Sequence, residues 1–171
     1  MSKMSINQNQ LVVKLALLML VFVFSTSFSF AKKEKVVETN YDIEGVETGT
    51  QGIYIVKVYV YTNKPVATTE QIKYAAVHGV LFRGFSGKGF ATQKALARPE
   101  VETQKSDYFG AFWGNGDYMA YANIVNAIAD RIKLSGKDYK YKIGAIVSVS
   151  KDSLRKALED AGIIRGLNTG F

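Results

Sequence analysis

The chain has 171 residues, 22 basic against 15 acidic side chains, a net charge of +7, one histidine and no cysteine. Disulfides, thiol catalysis, cysteine-ligated metal and a cysteine-borne lipid anchor are thereby excluded, and one histidine cannot build a histidine-rich zinc site. The mild basic excess favours acidic surfaces such as lipid head groups or anionic glycans, weakly and in a salt-dependent way.

Residues 1–31 read as a cleavable export signal. Lys3 and Lys14 stand without acidic neighbours, an apolar run follows from Leu15 to Phe24, and STSFSFA places Ser29 and Ala31 at the two positions a signal peptidase reads. The apolar run is about half the roughly 20 residues that a membrane-spanning helix needs. Residues 32–171 are then expected as a single domain, with the net charge reduced from +7 to +5 by the loss of the two lysines. A chain of that length buries a core without covalent staples.

KKEKVVETN, residues 32–40, reads as a loose charged lead-in. Gly45, Gly49 and Gly52 suggest a turn or bulge before a strand. That strand is Ile53 to Tyr61, with Tyr54, Val56, Val58 and Val60 facing a core and Ile53, Ile55, Lys57, Tyr59 and Tyr61 on the wetter side. Asn63-Lys64-Pro65 ends it. Thr68 or Thr69 can cap a helix with Glu70 in its first turn. Ile72, Ala75, Ala76, Gly79, Val80 and Phe82 then form its apolar stripe, small enough to lie close on a sheet. GFSGKGFATQKALARP, residues 84–99, reads as a glycine-rich loop running into a short helix.

Tyr108, Phe109, Phe112 and Trp113 fit one short amphipathic helix, capped by Ser106 and stopped by Gly114-Asn115-Gly116. Residues 117–132 fit either a helical stripe or a strand, with a slight preference for strand over 117–125. A second strong strand runs from Tyr139 to Val149, with Tyr141, Ile143, Ala145, Val147 and Val149 on one face. Ser150-Lys151-Asp152 turns into a helix from Ser153 to Ala161, striped by Leu154, Ala157, Leu158 and Ala161 and ended by Gly162. The order of elements predicts an α+β fold, a two-layer sandwich of an antiparallel or mixed sheet with helices packed on one face.

Few residues suggest chemistry. His78 has Lys73, Tyr74 and Arg83 as its local polar companions, which complete no site, and it reads as structural or solvent-facing. Gly84, Gly87, Lys88 and Gly89 have the wrong spacing for a phosphate loop, and no strand leads into them. Glu100, Glu102 and Asp107 are the carboxylates nearest large aromatics, Tyr108 and Trp113, and would suit a glycan-acting pair only if the fold brought two of them together. Tyrosines alternating with lysines at 139–142 are ordinary strand composition, and nucleic-acid binding is not expected.

The closing phrase YKIGAIVSVSKDSLRKALEDAGI, together with the alanine-rich helix from Gln71 to Phe82, resembles a small exported α/β module. That module occurs in the amino-terminal domain of flagellar assembly protein T and in related bacterial outer-membrane lipoproteins. The resemblance implies a non-enzymatic envelope or assembly role and carries over no active-site residue.

These readings converge on a non-enzymatic extracytoplasmic protein, periplasmic or at the cell surface, without a membrane span once the signal is removed. It would bind an envelope protein or an anionic envelope component. Tyr108, Phe112, Trp113, Ile164, Leu167 and Phe171 are the candidate partner-binding residues, because large apolar patches left open on a monomer mark docking surfaces. No catalytic residue, metal or cofactor is assigned. A carboxylate-dependent glycan-acting enzyme and a small-ligand carrier are the alternatives.

Overall fold

The computed structural model describes residues 39–48, 50–88 and 90–166; the export signal read at residues 1–31 lies outside them, as do Leu167 and Phe171. Among the described residues, six strands and four α-helices are formed. Strands β1 (Tyr41–Thr48) and β2 (Ile53–Thr62) make a hairpin, and helix α1 (Thr69–His78) continues into a π-helical turn, Gly79–Arg83. A small hairpin follows, β3 (Phe85–Gly87) with β4 (Phe90–Gln93). Next come α2 (Glu100–Gln104), α3 (Ser106–Gly114), a 3₁₀ turn at Asp117–Tyr121, the long strand β5 (Ala122–Lys133), β6 (Tyr141–Ser150) and α4 (Lys151–Asp160). The main sheet has the order β1-β2-β6-β5 with every neighbouring pair antiparallel. The fold is α+β.

Register explains the core. Val56, Val58 and Val60 of β2 stand opposite Val147, Ala145 and Ile143 of β6, and all six are fully buried on the helix-covered face. Ile72, Ala75, Ala76 and Val77 of α1 pack there, joined by Leu154 and Leu158 of α4. The small-residue stripe of α1 has the expected purpose: a Cβ on Gly79 would stand 2.5 Å from Cδ1 of Ile43 in β1, so helix and strand meet with no room for a methyl group. Thr68 caps α1 through a reciprocal pair of bonds with Gln71. At the far end of the chain, Gly162 ends the last helix at φ 65°.

Among the described residues, the other sheet face carries no helix. Lys142 pairs with Asp42 at 2.8 Å and Lys57 pairs with Asp130, while Lys142 lies over the rings of Tyr59 and Tyr61 at 4.5 and 5.1 Å. The hydrogen bond from Lys142 holds the Asp42 carboxyl below its ordinary range, and the bond to Asp130 raises the Lys57 ammonium.

Several local expectations need correction. Residues 84–99 are not a loop running into a helix: Phe85 pairs with Gln93 and Gly87 with Phe90 across a two-stranded ribbon. The ribbon is pinned to β2, because Phe85 lies edge-on to Tyr54 at 5.1 Å and Tyr54 Oη–H donates to Gln93 Oε1 at 2.9 Å. Gly84, at φ 68°, starts it; a Cβ there would strike the Gln93 carbonyl oxygen at 2.5 Å. The ambiguous segment 117–132 divides, with a 3₁₀ turn over its first five residues and strand from Ala122 onward. Ser106 opens α3 instead of capping it. Strand β1 was not expected at all. Among the described residues, no helix is long and apolar enough to cross a membrane.

Candidate functional site

Two concave regions gather the residues with functional character. The first surrounds His78, the last residue of α1. There β1 contributes Tyr41, α1 contributes Tyr74 and His78, the π-helical turn contributes Arg83, and α2 contributes Glu102, which also reaches Trp113 of α3. His78 Nδ1 lies 2.6 Å from Tyr41 Oη and Nε2 lies 3.2 Å from Glu102 Oε2. Trp113 Nε1–H donates to the other carboxylate oxygen, Oε1, at 2.9 Å.

The protonation pattern follows from these partners. The hydrogen bond from His78, with that from Trp113, holds the Glu102 carboxyl below its ordinary range, so it is an ionised acceptor. Burial pushes the Tyr41 phenol well above its ordinary range, so its proton stays in place. A neutral His78 must then donate from Nε2–H to Glu102 and accept at Nδ1 from Tyr41. Both ring nitrogens are thus spent on the protein. A general base needs a nitrogen within reach of the proton it removes. The chain Tyr41–His78–Glu102–Trp113 suits tying β1, α1, α2 and α3 together and shaping a wall.

That wall borders a cleft of about 370 Å³ lined by Thr39, Asn40, Tyr41, Tyr74, His78, Arg83 and Tyr139. Arg83 Nη1–H donates to the Tyr41 carbonyl at 2.7 Å, and its guanidinium carbon stands 4.0 Å from the centre of the Tyr41 ring.

The second region is a concavity of about 580 Å³ lined by Tyr108, Ala111, Phe112, Gly116, Asp117, Ala120 and Tyr121. Phe112 is its buried floor. The half-buried rings of Tyr108 and Tyr121 are its walls, with Tyr108 stacked on Phe112 at 5.9 Å and 13° and Tyr121 at 6.0 Å. Burial raises the Tyr108 phenol.

The candidate partner-binding residues divide between these places. Tyr108 and Phe112 line the concavity. Trp113, 7 % exposed, packs between the two regions against Tyr74 and Phe112, with its indole N–H on Glu102. Ile164 is half-buried against the core. Of the three carboxylates flanking the aromatics, Glu102 bonds to Trp113, whereas Glu100 and Asp107 are exposed and their side chains form no bond among the described residues. Gly84 opens the β3–β4 ribbon, Gly87 belongs to it, and no helix starts beside Lys88, so no phosphate loop is built there. Among the described residues, no three His, Asp or Glu side chains come close enough to hold a metal ion.

The sequence sets Glu102 beside Trp113 but leaves His78 apart from them, whereas the fold joins all three in one group. Sequence reading misses Tyr41 because β1 itself is not recognised. Comparison with protein families, with curated proteins and with solved structures finds no match to this chain.

Proposed function

We propose that the protein is an exported, non-enzymatic component of the cell envelope that binds an envelope partner. The observation that carries this reading is the aromatic concavity: the half-buried Tyr108 and Tyr121 stand as walls of an open hollow over the buried Phe112. Concave sites lined by aromatic side chains with a few polar groups are the usual form of a binding surface. The export reading draws on the amino-terminal pattern, and the likeness of residues 141–163 to envelope and assembly modules favours the same compartment. The glycan-acting alternative requires two cooperating carboxylates, and it gains no support from a Glu102 that is committed to His78 and Trp113 while Glu100 and Asp107 point into solvent.

The test is photo-crosslinking in cells. A photoreactive residue is placed at Ala111 or Ala120, both exposed on the rim of the concavity, with Lys137 as a remote exposed control. The expected outcome is one recurring envelope adduct from both rim positions, lost on Tyr108→Lys, none from the control, and a recovered chain beginning at Lys32. Retention in the cytoplasm with residues 1–31 attached, or no adduct from either rim position, overturns the reading.

A further inference from the structure

The cleft beside His78 is separate from the aromatic concavity and has a different chemical character. Its lining contains no carboxylate. What it offers is donors: the Arg83 guanidinium, the Tyr139 phenol and the Asn40 amide. Asn40 Nδ2–H donates to Tyr139 Oη, which leaves the Tyr139 proton without an acceptor among the described residues.

Arg83 is the centre of the case. A guanidinium has five N–H donors in a planar fork that matches carboxylate and phosphate oxygens. Here one bond, to the Tyr41 carbonyl, is the only one its side chain makes among the described residues, and no acidic side chain pairs with it. The two acidic groups that bear on this neighbourhood are already satisfied. Asp42 is held by Lys142 at 2.8 Å and by Tyr61 at 2.7 Å, and Glu102 is held by His78 and Trp113. An exposed arginine without an acid partner is ordinarily free to move. This one is fixed twice, by its carbonyl bond and by its position over the Tyr41 ring. It is also delivered by a π-helical turn, a costly local geometry that recurs at functional sites.

We propose that this cleft binds the oxyanion of a small organic ligand, a carboxylate or phosphate monoester on a body the size of a sugar, with the free edge of Arg83 as the anion grip. The cleft's volume is larger than a bare ion needs and lies at the low end of ligand sites, about 300–1,000 Å³. Tyr139 and Asn40, which line the same cleft, supply the uncharged hydrogen bonds that would fix such a body. The site is independent of the aromatic concavity, so failure of either leaves the other standing.

The experiment is calorimetric titration of the purified full chain at low salt with glucose 6-phosphate, glucuronate, glucose and inorganic phosphate. At least one of the two organic anions binds about tenfold more tightly than glucose and than inorganic phosphate, and Arg83→Gln weakens that binding at least about tenfold. Because Arg83 also supports β1, Asn40→Asp serves as a second variant: it keeps the size of an exposed side chain and places a negative charge in the cleft. It is expected to abolish binding of the anion without lowering the melting temperature. Four results overturn the proposal: no heat from either organic anion up to about 10 mM, equal binding of glucose, equal binding of inorganic phosphate, which makes this a bare ion site, or unchanged affinity in Asn40→Asp.

Discussion

Glu102 shows how much one side chain can organise. Its two oxygens accept from His78 Nε2–H and Trp113 Nε1–H, and only the ionised form can serve both, because a protonated carboxyl replaces one acceptor with a donor. A glutamine makes the same replacement permanently. Glu102→Gln should therefore be less stable than the parent protein by about 1 kcal/mol at neutral pH, the net value of one hydrogen bond. The pH dependence has a definite sign. The folded carboxyl titrates below its ordinary value of 4.5, so its contribution is fully present above that value and is lost as the pH falls through the lower folded value. Denaturant melts of both proteins should show a gap at neutral pH that persists down to about pH 4.5 and closes below it. A gap that stays open in acid would mean that the variant loses packing and that the charge is incidental.

At the scale of elements, α1 and β1 decide where Arg83 and Tyr41 sit, and their contact is tight at Gly79. Gly79→Ala gains up to about 1 kcal/mol of helix propensity but forces a methyl group against Ile43, and overpacking of this kind costs about 1–3 kcal/mol. A net loss of about 1 kcal/mol is expected. Ile43→Val removes Cδ1, the atom 2.5 Å from the new methyl, so the double variant should be more stable than the sum of the single changes predicts. Simple additivity would show that Gly79 serves some other need. The legibility of the elements follows the same physics. Strands β2 and β6 and helices α1 and α4 were readable because each buries one face and so repeats at period 2 or 3.6. Strand β1 was not. It is an edge strand whose outward positions are Asp42, Glu44 and Glu47, and a bulge between Gly45 and Glu47 breaks its alternation, so it reads as a polar loop. The histidine cluster was invisible for a related reason: Tyr41, His78 and Glu102 come from three elements, and their meeting depends on an unread strand. The aromatic concavity was half legible, since the spacing of Tyr108 and Phe112 put them on one helix face but could not tell floor from wall.

For the whole molecule, the sheet ends in two edges, and β5 is the more hazardous of them. It is twelve residues long, pairs among the described residues only with β6, and exposes Val125, Ile128 and Ile132 at 62 %, 43 % and 48 %. Long apolar edges invite a second chain to add on, and natural sheets blunt them with bulges. Here the pairing with β6 breaks between Asn126 and Asp130: Asn126 stands opposite Ile146 and Asp130 opposite Gly144, so four steps on one strand match two on the other. The surplus bends the edge out of the flat geometry that another strand could copy. Deleting Ala127 and Ile128 would restore the ladder between Asn126 and Asp130, leaving only the smaller shift between Ile124 and Asn126, and because two residues are removed every later side chain keeps its face. The deletion also removes one of the three exposed apolar residues, so composition alone predicts better solubility. If the bulge is protective, the opposite result is expected: the shortened protein folds, keeps the Lys57–Asp130 pair, and assembles with rising concentration in light scattering. A shortened protein that remains monomeric at every concentration would show that charge, with Lys133 and Arg131 at the strand's end, guards this edge instead.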